Sequence, residues 1–154
     1  MLIRRARTED WSAVSHLLQD SALPLDGAQE HLHAFRVAED PQGLLGVAGL
    51  EVYGAAGLLR SVAVASHARS RGVAGALVTA VLQDAVDVGV TTVALLTTTA
   101  SGYFTRLGFE ALPRTAAPAE LLDSAEFRHA CPASATLMLR TLEPSQQPDE
   151  GTIS

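Results

Sequence analysis

Residues 58–97 carry the pattern that most restricts how this chain can fold. Leu58–Ala65 is predicted to form a strand, and the apolar periodicity of Gly72–Val88 predicts a helix of about four turns that ends at Gly89. Val90–Thr97 is apolar and rich in β-branched residues, which favours a strand buried on both faces. Because strand–helix–strand connections are right-handed, the two strands should be parallel members of one sheet.

The rest of the chain predicts a mixed α/β fold without a second domain. The other predicted elements are strands over Leu2–Arg5, Ala34–Glu39, Leu44–Val52, Phe109–Leu112 and Ser134–Thr141, and helices over Glu9–Gln19 (capped by Thr8), Ala100–Leu107 (capped by Thr99) and Pro118–Phe127. We expect one domain over residues 1–141. Residues 142–154 are rich in proline, glutamine and acidic residues and are expected to be disordered.

Composition excludes several classes of function. The chain has 154 residues and a net charge of −6 with no basic patch, which argues against a nucleic-acid partner. No apolar run approaches the roughly 20 residues of a membrane span, and no signal peptide is expected at the N-terminus, so we predict a cytoplasmic protein. A single cysteine, Cys131, provides neither a disulfide framework nor a multi-cysteine zinc site, and no metal is expected.

The turn before the long helix has a composition suited to phosphate. The N–H groups of a helix's first turn have no intrahelical acceptor and carry partial positive charge, so they bind anions. Gly72, Ala74 and Gly75 allow a pyrophosphate to approach the main chain, and Arg69 and Arg71 add charge beside it. A tight strand-to-helix turn without a ligand is the alternative. Neither a dinucleotide fingerprint nor a Walker A motif is present.

Two motifs resemble those of the GNAT acetyltransferases. Residues 69–74 read Arg-x-x-Gly-x-Ala, which is similar to the Gln/Arg-x-x-Gly-x-Gly/Ala motif of that family. Residues 104–109 read Phe-x-x-Leu-Gly-Phe, which is similar to the Tyr-x-x-Leu-Gly-Phe box after the family's fifth strand. Both occur in the family's order, and the resemblance extends over roughly residues 1–141.

The resemblance implies a fold and a co-substrate. The fold is a splayed mixed sheet of about six or seven strands with helices on both faces, and acetyl-CoA enters the V between the fourth and fifth strands. Its pantetheine arm pairs with the fourth strand like an added strand. The coenzyme-binding residues implied are Val62, Ala63, Val64, Arg69, Ser70, Arg71, Gly72, Val73, Ala74, Gly75 and Phe104.

A narrower likeness is to the ArsN-type acetyltransferases associated with arsenic-resistance operons, in their second, shorter type. It rests on residues 49–54, 57–61, 95–100, 126–127 and 131–135. Relatives of the first type acetylate the amino group of phosphinothricin-like and arsenic-containing amino acids. The likeness therefore implies acetylation of a small amine, an amino acid or an analogue, with a possible role in resistance to arsenic or to toxic analogues.

Candidate residues for the acceptor side lie at the ends of the predicted strands. Glu51 is a lone acid in an apolar strand and is the candidate to accept the amine proton; an exposed strand-end residue is the alternative. Arg60 is expected either to grip a substrate carboxylate bidentately or to pair with Glu51 across the hairpin. The hydroxyls of Ser61 and Thr98 are candidates to orient the substrate.

The second motif departs from the family at its first position. Phe104 stands where many members have a tyrosine whose hydroxyl protonates the departing thiolate, and Tyr103 is displaced by about 100° around the helix. We predict that Phe104 is an apolar wall for pantetheine and that there is no tyrosine general acid. The expected function is an N-acetyltransferase, with a non-catalytic acyl-CoA-binding module as the alternative. A homodimer is a family-level expectation.

Overall fold

One mixed β-sheet forms the centre of the computed structural model, which describes residues 1–143. The strands are β1 (Leu2–Arg5), β2 (Arg36–Asp40), β3 (Gly43–Tyr53), β4 (Ala56–Val64), β5 (Thr92–Thr97), β6 (Glu110–Leu112) and β7 (Thr136–Thr141). Their order in the seven-stranded sheet is β1-β2-β3-β4-β5-β7-β6. All neighbours are antiparallel except β4 and β5, which are parallel as predicted. The mixed α/β class is therefore confirmed, whereas residues 144–154 of the predicted tail lie outside the described residues.

In the described part of the chain, three α-helices accompany the sheet: α1 (Trp11–Asp20), α2 (Val73–Asp87) and α3 (Ser101–Arg106). Short turns of 3₁₀ helix cover Thr8–Asp10, Gln29–Ala34, Ser66–Ala68, Arg114–Ala116 and Ala119–Leu121, and a π-helical turn covers Glu126–Ala130. Within residues 1–143, every helix is too short or too polar to cross a membrane.

Helices α1 and α2 pack on opposite faces of the sheet because strand residues alternate in direction. In β3, Val47 joins the apolar cluster under α1, whereas Ala48 joins the cluster under α2. Leu77 and Val81 of α2 are fully buried in that second cluster. Full burial of an aliphatic side chain contributes roughly 1.5–3 kcal/mol, so these contacts fix α2 firmly against the sheet.

An ion pair also determines how α2 lies on the sheet. Arg36 of β2 donates from Nε and Nη2 to the two carboxylate oxygens of Asp84 in α2, each at 2.7 Å. This contact raises the pKa of Arg36 above its usual value, because the hydrogen bonds to Asp84 favour the charged guanidinium. A bidentate pair constrains direction as well as distance. It therefore helps to orient α2 on the sheet.

Both predicted threonine caps are wrong. The chain enters α1 through the 3₁₀ turn Thr8–Asp10, where the Asp10 carboxylate accepts a 2.6 Å bond from the Arg7 N–H, so the acid and not Thr8 satisfies a free donor. Before α3, the Thr97 hydroxyl accepts the Ala100 N–H at 3.0 Å, and Thr99 makes no such bond. Thr97, the last residue of β5, therefore bonds an N–H group three residues later in the chain, across the turn, which the sequence does not reveal.

The helix predicted over Pro118–Phe127 is also wrong. This segment forms the 3₁₀ turn Ala119–Leu121 and then enters the π-helical turn Glu126–Ala130. Between them, the Ser124 hydroxyl accepts the Phe127 N–H at 3.2 Å. A serine side chain that bonds the backbone locally competes with helical hydrogen bonding, and this ends the regular pattern.

Gly49 in β3 lies against the ring of Phe35, and this contact predicts the stability of a variant. A Cβ on Gly49 would stand 2.4 Å from two ring carbons of Phe35, which is itself fully buried. We expect Gly49→Ala to lower the free energy of unfolding by about 1–3 kcal/mol, measured by urea denaturation. Gly102→Ala is the control, since no heavy atom lies within 4 Å of its Cβ position in α3. Equal stability of the two variants would contradict the packing described.

Candidate active site

The two parallel strands in the middle of the sheet separate along their length. Strands β4 and β5 are paired over Ala56–Leu58 and Thr92–Ala94. Beyond that point β5 continues to pair with β7 through Thr97, whereas residues 59–64 of β4 keep only their partner β3. One edge of β4 therefore presents unpaired backbone groups to the gap, which is where the sequence predicted a splay.

The open part of β4 contains a bulge. Its pairing with β3 passes from Val47–Ala63 to Gly49–Arg60, so that Ser61 and one further residue of β4 oppose a single residue of β3. Ser61 adopts φ of 60°, which is uncommon for a residue with a side chain. Bulges re-aim a strand and are frequent beside active sites. Here the bulge turns the backbone after Arg60 towards the gap.

The N-terminus of α2 lies beyond the end of β4. Gly72 is the residue before the helix and has φ of 76°, and Ser70 also has positive φ. The structure shows no side chain capping this end of α2, so its first N–H groups are available to an external acceptor. Arg69 and Arg71 are exposed beside it. This arrangement has the charge and geometry of a phosphate-binding helix terminus.

A cavity of about 640 Å³ occupies the gap between β4 and β5. Its walls come from β4, from the end of β5 and from α3, together with two connecting segments, residues 21–26 and 126–135. The predicted site residues that line it are Arg60, Ser61, Val62, Ala63, Val64, Arg69, Thr98 and Phe104. The remaining predicted coenzyme residues lie at the start of α2, where Val73 turns its side chain into the core.

Arg60 is the most heavily bonded side chain of the cavity wall. Its Nε donates to the Ser61 hydroxyl at 3.0 Å, and Nη1 donates to the Glu51 carboxylate at 2.7 Å. Nη1 and Nη2 also donate to the backbone oxygens of Asp26 and Pro24, at 2.6 and 3.1 Å. These bonds use four of the five guanidinium N–H groups. Of the two predicted roles, pairing with Glu51 is therefore observed, and a bidentate grip on a substrate is not available.

Glu51 lies behind Arg60 and not on the cavity wall. It is 1% exposed, so its alternative reading as an exposed strand-end residue is wrong. One carboxylate oxygen accepts from Arg60, and the other accepts from the Tyr53 hydroxyl, with His31 Nε2 at 3.6 Å. Burial, followed by the bond to Glu51, raises the pKa of Tyr53 above its usual range. In this position Glu51 orients Arg60.

Glu126 and Cys131 are two of the cavity-lining residues that were not predicted as site residues. Glu126 is buried, and its carboxylate stands 3.4 Å from Arg60 Nε. The thiol of Cys131 adjoins it, and burial raises the pKa of that thiol to about 12, which keeps it protonated and unreactive. The sequence signal was the inclusion of residues 126–127 and 131–135 in the ArsN-type likeness, although neither Glu126 nor Cys131 was given a role in the site. No three acidic, histidine or cysteine side chains among residues 1–143 are grouped to hold a metal.

This geometry agrees with comparisons to known proteins. The family model described as "Acetyltransferase (GNAT) domain" matches residues 31–111, which is more than half of the chain. The chain belongs to the GNAT acetyltransferase family. The match spans β3, β4, α2 and β5, the elements that form the gap and the turn before α2. The narrower ArsN-type likeness is not addressed by it.

Solved structures of other proteins share the GNAT fold. Rv2747 from Mycobacterium tuberculosis, in complex with CoA and NLQ, is 29% identical with a TM-score of 0.79, covering 93% of this chain and 100% of that one. N-acetylglutamate synthase from Neisseria gonorrhoeae, complexed with coenzyme A and N-acetyl-glutamate, is 20% identical with a TM-score of 0.80. That alignment covers 92% of this chain and 35% of the synthase. A comparison with curated protein sequences found no match.

The turn before α2, which is predicted to bind phosphate, gives the next prediction. Gly72→Glu should weaken acetyl-CoA binding at least fiftyfold, about 2.3 kcal/mol, because it places a like charge beside the pyrophosphate. Gly72→Gln is the matched control: both variants share the strain of a side chain at φ of 76°, so their difference isolates charge. Isothermal titration calorimetry measures both. Near-normal affinity of a folded Gly72→Glu protein would contradict the assigned site.

The two aromatic residues of α3 give a further prediction. Phe104 lines the cavity, whereas Tyr103 does not. The Tyr103 hydroxyl points towards α2, 3.9 Å from where a Cβ on Gly75 would lie, and the Arg106 guanidinium lies over the Tyr103 ring. Tyr103→Phe should therefore lower kcat less than about threefold, or roughly 0.7 kcal/mol. Steady-state thiol release measures the effect. A hundredfold loss with intact coenzyme binding would make Tyr103 the general acid.

Proposed function

We propose that this GNAT protein is an acetyl-CoA-dependent N-acetyltransferase for a small amine. The observation that carries the proposal is the cavity between β4 and β5, where an unpaired strand edge and a cluster of buried polar side chains face the same space. The strand edge suits the amides of pantetheine, and the polar cluster suits an acceptor molecule. A module that only binds acyl-CoA would not need the cluster of buried polar side chains.

The coenzyme would bind along β4 and the start of α2. The main chain of Val62, Ala63 and Val64 would pair with the pantetheine arm, and Phe104 would provide an apolar wall beside it. The N–H groups at Val73, Ala74 and Gly75 would bind the pyrophosphate, since helix N-termini bind anions. Arg69 and Arg71, with Ser70 and Gly72, complete the turn.

The acceptor would bind on the opposite side of the cavity, near Arg60. Among residues 1–143, one guanidinium N–H of Arg60, on Nη2, has no acceptor and would donate to a substrate oxygen. The hydroxyls of Ser61 in β4 and of Thr98 after β5 line the same cavity. An amino acid or analogue is the substrate class that we propose. The N-acetyl-glutamate bound by the gonococcal synthase supports this choice, as an acetylated amino acid held by the same fold.

The ArsN-type motifs extend the proposal to toxic analogues. Residues 49–54 and 57–61 belong to β3 and β4, and residues 126–135 border the acceptor side of the cavity. The resemblance therefore includes the surface that would contact the acceptor. A single thiol with raised pKa, that of Cys131, does not favour direct binding of trivalent arsenic, so a role in resistance would act through acetylation of an amino-acid analogue.

Acetyl-CoA turnover across a panel of acceptors tests this proposal. The panel contains the free L-amino acids, phosphinothricin and n-propylamine, and thiol release is the readout. We expect turnover with at least one amino acid or analogue, at a kcat/KM at least tenfold above that of n-propylamine, because Arg60, Ser61 and Thr98 offer donors to a carboxylate. Tight coenzyme binding without turnover of any member would instead make the protein an acyl-CoA-binding module.

A further inference from the structure

Glu126 is a buried carboxylate on the cavity wall with no assigned role. We propose that Glu126 binds the ammonium group of the acceptor and accepts its proton, as the general base of the reaction. The proposal rests on the proposed acetyltransferase function and names the residue that deprotonates the amine.

The position of Glu126 is set by a well-anchored segment. Its side chain is 5% exposed, yet the residue lines the cavity together with Arg60 and Ser61. The segment is held from both sides, because Leu121 is fully buried under the sheet and Arg114 donates to the backbone oxygen of Ala135 at 3.3 Å. Glu126 therefore faces the cavity from a fixed position and not from a free loop.

The hydrogen-bonding capacity of Glu126 is not exhausted by its neighbours. The nearest guanidinium atom, Arg60 Nε, is 3.4 Å away and donates to the Ser61 hydroxyl. The adjoining Cys131 thiol is a weak donor. Glu51 differs, since both of its oxygens accept strong bonds from Arg60 and Tyr53. Of the two buried acids beside Arg60, Glu126 has lone pairs left for a ligand.

The charges of this cluster favour a cationic ligand. One guanidinium, Arg60, lies between the carboxylates of Glu51 and Glu126, so these three side chains carry one negative charge in excess when ionised, and the His31 imidazole lies 3.6 Å from Glu51. Asp26, which is half exposed at the cavity edge and lies 3.8 Å from His129, adds a further carboxylate. Buried charge is costly unless it is compensated. The ammonium group of an amine would supply the missing positive charge at the acceptor end of the cavity.

The titration of Glu126 suits the role of a base. Burial raises the pKa of this carboxyl above the ordinary glutamate value of 4.5, and Glu51 and Asp26 act in the same direction. Arg60 and the Cys131 thiol oppose the rise. A carboxylate whose pKa is closer to that of the ammonium group removes the ammonium proton more readily, provided that the carboxylate is ionised.

The reaction follows from this placement. An ammonium proton passes to the Glu126 carboxylate, which leaves the amine lone pair free. That lone pair forms the carbon–nitrogen bond to the thioester carbon while the carbon–sulfur bond breaks and its electron pair stays on sulfur. The second proton leaving nitrogen passes through water to the thiolate, and Glu126 returns its proton to solvent. The balance is one amide, one thiol and one released proton.

The pH dependence of Glu126→Gln tests the assignment, with the best acceptor of the panel above. We expect kcat to fall about a hundredfold or more, and the acidic limb of the pH–rate profile, which lies above the range of an ordinary glutamate, to disappear. Glu126→Asp should restore part of the rate and the limb. Glu51→Gln should lower the rate but keep the limb. Asp123→Asn, an exposed acid on the same segment, should stay within about twofold of wild type.

Each result decides the matter. A folded Glu126→Gln protein with wild-type rate and limb would overturn the proposal, as would loss of the limb in Glu51→Gln alone. If the wild-type protein turns over no amine, the proposed function fails, and calorimetric titration of n-propylamine into the CoA complex judges Glu126 separately. A tenfold lower affinity for n-propylamine in Glu126→Gln than in Asp123→Asn would support an ammonium site at Glu126. Equal affinity in the two variants, or no binding to either, would refute it.

Discussion

The end of β4–β5 pairing after Leu58 is the constraint on which the functional part of this molecule depends. Because β5 stays paired with β7 and β4 with β3, the divergence opens a gap inside the sheet without breaking either half. Backbone groups along residues 59–64 of β4 are left without a strand partner on that side. Buried backbone groups need partners, so such an edge is stable beside water or a ligand and is poorly suited to simple packing.

The bulge at Ser61 and the position of α2 depend on the same divergence. A positive φ at a residue with a side chain is unfavourable, and it persists where the surrounding structure determines it. Here β3 holds both ends of the bulge, and the bidentate pair of Arg36 and Asp84 holds α2 against the sheet. The unpaired strand edge and the helix N-terminus are thereby held in fixed positions, as the proposed coenzyme site requires.

On the other side of the cavity, the buried guanidinium of Arg60 organises segments that are distant in sequence. It joins β3 through Glu51, residues 24–26 through two backbone oxygens, and the π-helical turn through Glu126. Loss of one partner from a buried ion pair costs about 3–5 kcal/mol, so this contact is expected to be structural as well as functional. Because hydrogen bonds within residues 1–143 engage four of its five N–H groups, Arg60 has a single N–H group left to donate to a substrate.

The coenzyme side could be predicted from sequence because its signals are local. The strand, turn and helix over residues 58–88 follow from apolar periodicity and from glycines at positions that need a small residue, and the structure reproduces their order and parallel pairing. The threonine caps of α1 and α3 were predicted wrongly because several polar side chains lie near each helix start. Only geometry shows that Asp10 accepts the Arg7 N–H and Thr97 the Ala100 N–H, and that Thr8 and Thr99 do not cap these helices.

The sequence by itself determined the fold class and the family, and it predicted a phosphate-binding turn, since each depends on residues that are close together along the chain. The tertiary structure decided which charged side chains meet. Glu51, Arg60 and Glu126 are separated by up to tens of residues, and their roles depend on which oxygens and N–H groups are already engaged. Whether a carboxylate has lone pairs left for a ligand depends on which atoms pack around it. The structure therefore distinguishes Glu51, whose oxygens are bonded to Arg60 and Tyr53, from Glu126, which faces the cavity, and no local sequence pattern encodes this difference.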